Sequence, residues 1–396
     1  VSNTPPSLWT KTFIIIMLAN AFAFFAFDIL LPTLPLFLEK YGSLDISKIG
    51  LIIGSFTFSA IIIRPFTEIF TNKFGRKKVL VVSILICLLS TLGYYIGTSF
   101  ILALSIRILH GFGFGLAVTI LSTLAAEIIP KDRRGEGMGM IGNGTTVALA
   151  LSPFAGMWLF NSYNPIILFG VAGLSLLVFL SCVSFISFPE SVANSNQTEK
   201  SFLQSMIEPS AIFPCFLMLL FGICIGGVIS FMALYAKELN IEGVAWFYFV
   251  NTVSGFLIRF ISGKVFDRKG HAWVLIPSSI SITIGFVLLY QATTLSDLLI
   301  AAALYGMGTG SLFPSLQAWT LNNTKPEQFT KVTAMFFNSF DLGIGGGSAI
   351  LGLIAVKTSY SSIYLFSAFV MVFFLLVYCS VLFINKQSLV RTQKRA

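Results

Sequence analysis

Charge is what this chain has least of. Only 10% of its 396 residues are charged, while 56% are hydrophobic; a soluble domain carries roughly 25% charged residues. That shortage excludes a water-soluble globular protein, because too little polar surface exists to cover so much apolar side chain. Histidine is rarer still, with two residues. No His/Asp/Glu cluster, nucleophile motif or phosphate-binding loop occurs, so neither catalysis nor direct driving by ATP is expected. The five cysteines, Cys87, Cys182, Cys215, Cys224 and Cys379, all lie in apolar runs without metal-ligand spacing and read as small buried hydrophobes. No cofactor or metal is expected. Long polar loops are missing, which disfavours a receptor with a ligand-binding ectodomain. The first apolar run is too long for a cleavable signal sequence and has no small-residue cleavage site.

What is present in quantity is apolar helix. A spanning helix needs about 20 apolar residues. Runs near 12–36, 48–70, 79–98, 100–127, 138–160 and 165–188 meet that need, and so do 211–236, 243–265, 273–293, 297–320, 332–356 and 361–385. Helices satisfy their own backbone hydrogen bonds in hydrocarbon, and no strand pattern competes. The expected fold is an all-α membrane protein with twelve transmembrane helices in two pseudo-symmetric six-helix bundles. The N-terminal bundle covers 1–188 and the C-terminal bundle 211–396. Between them 189–210, PESVANSNQTEKSFLQSMIEPS, reads as a polar linker.

The pseudo-symmetry is written in a repeat. RPFTEIFTNKFGRKK from Arg64 returns as RFISGKVFDRKG from Arg259. Arg64 and Arg259, Asn72 and Asp267, and Gly75 and Gly270 stand 195 residues apart. Gly111 and Gly306, Gly115 and Gly310, and Asn143 and Asn338 share that offset, which points to a duplicated unit.

The net charge of +9 could suggest nucleic acid, but its placement argues for membrane topology. With the N-terminus inside, eighteen Lys and Arg fall on the inner side, four on the outer side (Lys40, Lys48, Lys237, Lys357) and three within spans. This bias places both termini in the cytoplasm.

Twelve helices, a central linker and a basic turn repeated after the second and eighth spans resemble the major facilitator superfamily, over nearly the whole chain. The family's turn typically reads G-x-x-x-D-R-x-G-R-R. Here Glu68, Asn72 and Lys73 replace its first three fixed residues, while Gly75, Arg76 and Lys77 fit; the second copy keeps Gly263, Asp267, Arg268 and Gly270. The first copy thus lacks the family's gating aspartate. RILHGFGFG in the fourth span is similar to R-x-x-Q-G, with His110 for glutamine. ALALSPFAGM in the fifth looks like a degraded antiporter signature that keeps Pro153 and Gly156. NSFDLGIGGG in the eleventh has the look of the same exporter branch. The resemblance implies a secondary carrier that works by alternating access, in the proton-exchanging exporter branch.

Charges inside spans are functional candidates, because each costs several kcal/mol at the bilayer centre unless paired or hydrated. Asp28 in the first span and Arg107 in the fourth both fall in the outer half of one bundle and can share a cavity. A carboxyl balanced between a nearby cation and an apolar surround takes up and releases a proton as access alternates, so Asp28 is the expected proton carrier and Arg107 its modulator. His110, one turn from Arg107, is a candidate relay, and Asp341 a second titrating or cation-binding site. Arg64 and Arg259 are expected to reach carbonyl ends or Glu68 and Glu127. With Asn72, Arg76 and Asp267 they make an expected inner gate. Pro32, Pro35 and Pro153 kink their helices.

Forty-one phenylalanines, with few polar residues in the spans, suggest an aromatic cavity. Asn20, Phe24, Phe221, Tyr305, Gln317 and Asn338 are its expected wall. An aromatic cavity with a carboxylate suits lipophilic cations and amphiphiles. The reading is a proton-coupled exporter of such compounds or drugs, acting as a monomer in a cell membrane, with bacterial origin expected. A carrier for a defined metabolite (siderophore, sugar, amino acid or lipid) is the alternative.

Overall fold

The computed structural model describes residues 7–42, 44–186, 188 and 207–393, and all regular structure among them is helical. Most of the expected linker, 189–206, lies outside the described residues. The first stretch is α1 (Lys11–Asp28) followed by α2 (Leu30–Gly42). Then come α3 (Ile46–Ile63) and α4 (Thr67–Phe74), joined by a 3₁₀ turn at Arg64–Phe66. α5 (Arg76–Gly93), α6 (Phe100–Ile128), α7 (Arg134–Ser162) and α8 (Pro165–Ser184) follow. The remainder is α9 (Pro209–Glu238), α10 (Ala245–Lys269), α11 (Ala272–Gln291), α12 (Leu295–Asn322), α13 (Phe329–Lys357) and α14 (Tyr360–Gln393).

Taking α1–α2 and α3–α4 each as one crossing gives twelve spans. Ten are long and apolar enough to qualify alone. α5 opens on Arg76, Lys77 and Lys78, and α7 is diluted by glycine, threonine and serine. These two cross as members of a bundle.

Local sequence explains the ends. Thr10 caps α1 by accepting from the Phe13 N–H at 3.2 Å, and Asp45 caps α3 by accepting from Lys48 N–H at 2.9 Å. α4 and α10 stop at Gly75 (φ +85) and Gly270 (φ +89), backbone conformations that a Cβ would strain. The break between α1 and α2 falls at Ile29. Pro32 has no N–H to give the Asp28 carbonyl four residues back, and its ring crowds that carbonyl. The intramembrane acid therefore sits at the broken turn.

The chain forms two compact units: residues 1–211 with 320–338, and residues 212–319 with 339–396. The end of α12 and the start of α13 thus pack with the first unit. In that unit α1 lies against α7 and α8, and α6 against α3 and α5. A buried cluster joins Ile29, Leu30, Leu34 and Phe37 to Tyr94, Ile106, Leu168 and Phe169. In lipid the gain from such contacts is packing rather than dehydration. The 195-residue repeat reappears as matched helix crossings. A Cβ on Gly111 would fall on the Ser59 hydroxyl and the Phe56 carbonyl, and one on Gly306 would fall on the Asn251 carbonyl. Phe56 and Asn251 are themselves 195 residues apart, so each unit crosses its helices at the same register.

Candidate functional site

In the first unit the break after α1 carries Asp28 into the interior at 3% exposure. Its Oδ2 has no hydrogen-bond partner, and no ion pair reaches the carboxyl from any described residue. Arg107, at 1% exposure, does not pair with it. The guanidinium carbon lies 4.4 Å from the Phe56 ring centroid and 5.9 Å from that of Phe27, and Nη1 donates to Tyr94 Oη at 3.4 Å. Nε has no partner. Phe27 stacks on Phe56 at 4.4 Å, and Phe114 packs against Phe24, Phe27 and Phe56. Aromatic faces, which carry negative charge density, thus supply the environment that a carboxylate would otherwise give the cation.

His110 joins this assembly through Tyr94, whose Oη lies 3.1 Å from His110 Nδ1. The phenol therefore bridges Arg107 and His110. Tyr94 escapes sequence reading because it ends an ordinary apolar run; the one available signal is that a buried tyrosine hydroxyl needs a partner. Asn20 is tied elsewhere: its amide donates to Thr145 Oγ1 at 2.7 Å and to the Ile141 carbonyl at 3.4 Å, fastening α1 to α7.

The basic end of the same unit holds a second set of contacts. Arg76 Nη1 lies 2.6 and 2.7 Å from the two Glu127 oxygens, joining the Gly75 turn to the end of α6. Arg64, expected at carbonyl ends or at Glu68 and Glu127, donates to Asn338 Oδ1 at 3.2 Å and lies 5.5 Å from the Phe337 ring. The Asn338 amide donates onward to the Ile61 carbonyl at 2.9 Å. Asn338 was expected on the cavity wall; its polar atoms are engaged by the second span, 274 residues away in sequence. Arg134 donates to Asn322 Oδ1 at 2.7 Å and lies 5.0 Å from the Phe329 ring. Glu68 interacts electrostatically with Lys331 and Glu208. Asn72 is exposed.

In the second unit Arg259 Nε donates to the Gly310 carbonyl at 2.9 Å, a carbonyl partner of the kind expected. Phe221 stacks at 6.1 Å on Phe340, and Tyr305 packs between Phe247 and Phe286. Phe221, Tyr305 and Gln317 are all buried, while Asp341 and Asp267 are half-buried.

His271 follows Gly270 at the position that Arg76 holds in the first copy. Its ring stacks on Trp319 at 4.4 Å, and Nδ1 lies 2.6 Å from Tyr378 Oη. Burial lowers its pKa below the ordinary imidazole value. The folded state prefers the neutral ring, so the unfolded chain takes up the proton first as pH falls. The stabilisation is complete above pH of about 6.5 and is lost on descending from there. Thermal stability in detergent is expected to fall below that pH, and His271→Gln to flatten this part of the profile, as followed by melting temperature against pH.

Against known proteins, a family model described as Major Facilitator Superfamily matches residues 16–297 and, again, 215–395. The multidrug resistance protein MdtG of Escherichia coli is 25% identical over 391 residues, covering 94% of each chain. Among solved structures, the human organic anion transporter MFSD10 is similar with a TM-score of 0.76 at 16% identity, covering 93% of this chain and 100% of that one. The Escherichia coli fucose:proton symporter FucP reaches 0.75 at 15% identity, covering 92% and 97%. At those identities the two structures speak for the fold.

Proposed function

This chain belongs to the Major Facilitator Superfamily and is a multi-pass membrane transporter of small molecules; on that premise we propose that it is a proton-coupled exporter of lipophilic or amphiphilic compounds. The observation that carries the reading is Asp28, a buried carboxyl that no ion pair reaches from any described residue. An ionised group so placed costs several kcal/mol. A proton or a cationic substrate relieves that cost, and the two compete for one carboxyl, which is the requirement for exchange. Arg107 is held by Phe56, Phe27 and Tyr94 and so leaves Asp28 available. Multidrug resistance in the name of the MdtG relative supports the same direction. A second reading, a carrier of one defined metabolite, is favoured by the unpartnered Arg107 Nε, a donor that a specific substrate could take.

Alternating access also needs an element with two arrangements. The Arg64–Asn338–Ile61 contacts at the basic end suit that role, with both termini and the basic loops cytoplasmic. Asn338→Ala removes one acceptor of a buried guanidinium and the donor to the Ile61 carbonyl, and is expected to weaken this arrangement by about 1–3 kcal/mol. Faster labelling of a cysteine at position 61 by a thiol reagent would report it.

The experiment that separates the readings uses purified protein in liposomes with a pH-sensitive dye inside and an imposed proton gradient. Lipophilic cations are expected to trigger proton flux, while sugars, amino acids and siderophores leave the dye unchanged. Flux triggered by a polar metabolite alone would move the function to the second reading.

A further inference from the structure

A cavity of about 660 Å³ opens in the second unit, lined by the end of α9, the end of α13 and the start of α14. It lies at the opposite end of these helices from the basic loops. Phe231 and Tyr360, with ring centroids 6.1 Å apart, form its aromatic wall. Glu238 is its one charged lining residue, and it forms no ion pair and accepts no hydrogen bond from any described residue. Lys237, beside Glu238 in sequence, and Lys357, beside Val356 and Thr358, are both exposed, and neither forms an ion pair with Glu238. The serine and threonine hydroxyls of the lining are already used. Ser348 bonds to Ser230 and the Gly226 carbonyl, Thr358 to the Ile354 carbonyl, and Ser359 to Ser361 and Ser362.

We propose that this cavity is a docking site for a monovalent organic cation with an apolar body, its charge against Glu238 and its body against Phe231 and Tyr360. The chemistry selects the class. An anion finds no cation in the lining, and a metal ion finds a single carboxylate. A sugar finds the serine and threonine hydroxyls already bonded within the protein and the Tyr360 hydroxyl alone open to it. A lipophilic cation gains an ion pair and two aromatic faces together. The site rests on the export reading, where it serves as a point of release on the side away from the basic loops.

The test is photolabelling of the full chain in detergent with a photoreactive derivative of tetraphenylphosphonium, with labelled residues mapped by mass spectrometry. Wild type is expected to be labelled on α9 and on 348–360. Unlabelled tetraphenylphosphonium should compete, while benzoate and glucose should not. Glu238→Gln should reduce that label about tenfold, the size of one lost charge contact, and Glu238→Asp should retain most of it. Glu238 is exposed and unpaired, so these variants leave folding intact; Phe231→Leu, which keeps the charge, should weaken labelling independently. Saturable label elsewhere, with none on this cavity, would overturn the docking site and leave the export reading standing. Label on the cavity that is indifferent to Glu238→Gln would overturn it as well. Absence of saturable label anywhere on folded protein would overturn both.

Discussion

Asp28→Asn is expected to leave the protein folded and to abolish flux coupled to a proton gradient. The substitution keeps the shape of the side chain and removes only its charge and its proton. The carboxyl forms no ion pair with any described residue, and its Oδ2 is already without a partner. Melting temperature should therefore hold or rise slightly, as it does when an uncompensated buried charge is removed. Transport should behave oppositely. An amide cannot take up a proton when the substrate leaves, so cation-triggered proton flux should fall by at least about 100-fold, the scale on which losing a proton-transferring group acts. Flux and melting temperature measured on one preparation separate this from misfolding. Arg107→Gln is the contrasting variant. It removes a cation seated on Phe56 and hydrogen-bonded to Tyr94, so it should lower stability as well as flux.

The second large effect concerns the repeated helix crossing. Gly111→Val and Gly306→Val should each prevent a stable fold or lower its stability by about 1–3 kcal/mol or more. At both positions the obstacle includes a backbone carbonyl, of Phe56 and of Asn251, which cannot rotate away as a side-chain tip would. The helices must separate, and small residues are what let helices approach closely in a membrane. Gly345→Ala and Gly346→Ala are the controls, since a Cβ on either meets nothing within 4 Å. Yield and melting temperature in detergent should drop for the first pair and stay level for the second.

Much of this fold is legible in the sequence because a bilayer imposes simple rules. Scarce charge and runs of about 20 apolar residues place the helices, and the 195-residue offset exposes the duplication. The runs at 79–98 and 138–160 mark α5 and α7, although neither helix qualifies as a span alone. A kink near Pro32 was legible as well, since its ring leaves a carbonyl without its donor, whereas α2 and α7 run on through Pro35 and Pro153.

Side-chain partners were less legible, because sequence distance says little about which faces meet. Asp28 and Arg107 invite pairing by charge, yet Arg107 lies against Phe56 and Phe27 and donates to Tyr94, with Nε left unpartnered. Asn143 and Asn338 are equivalents in the repeat, but their surroundings differ. Asn338 ties Arg64 to the Ile61 carbonyl, while Asn143 Oδ1 has no partner. Arg76 and His271 occupy one repeat position and have become half of an ion pair and a ring stacked on Trp319. Duplication fixes the backbone register and leaves the polar chemistry of each copy free to diverge.

Proton release on cation binding reads out the proposed competition between a proton and a cationic substrate for Asp28. Purified protein in lightly buffered detergent would be titrated with tetraphenylphosphonium while bulk pH is followed with an indicator dye. Wild type is expected to release protons in step with cation binding, and Asp28→Asn to release none at matched occupancy. Saturable binding by wild type with no proton released, or equal release from Asp28→Asn, would contradict it.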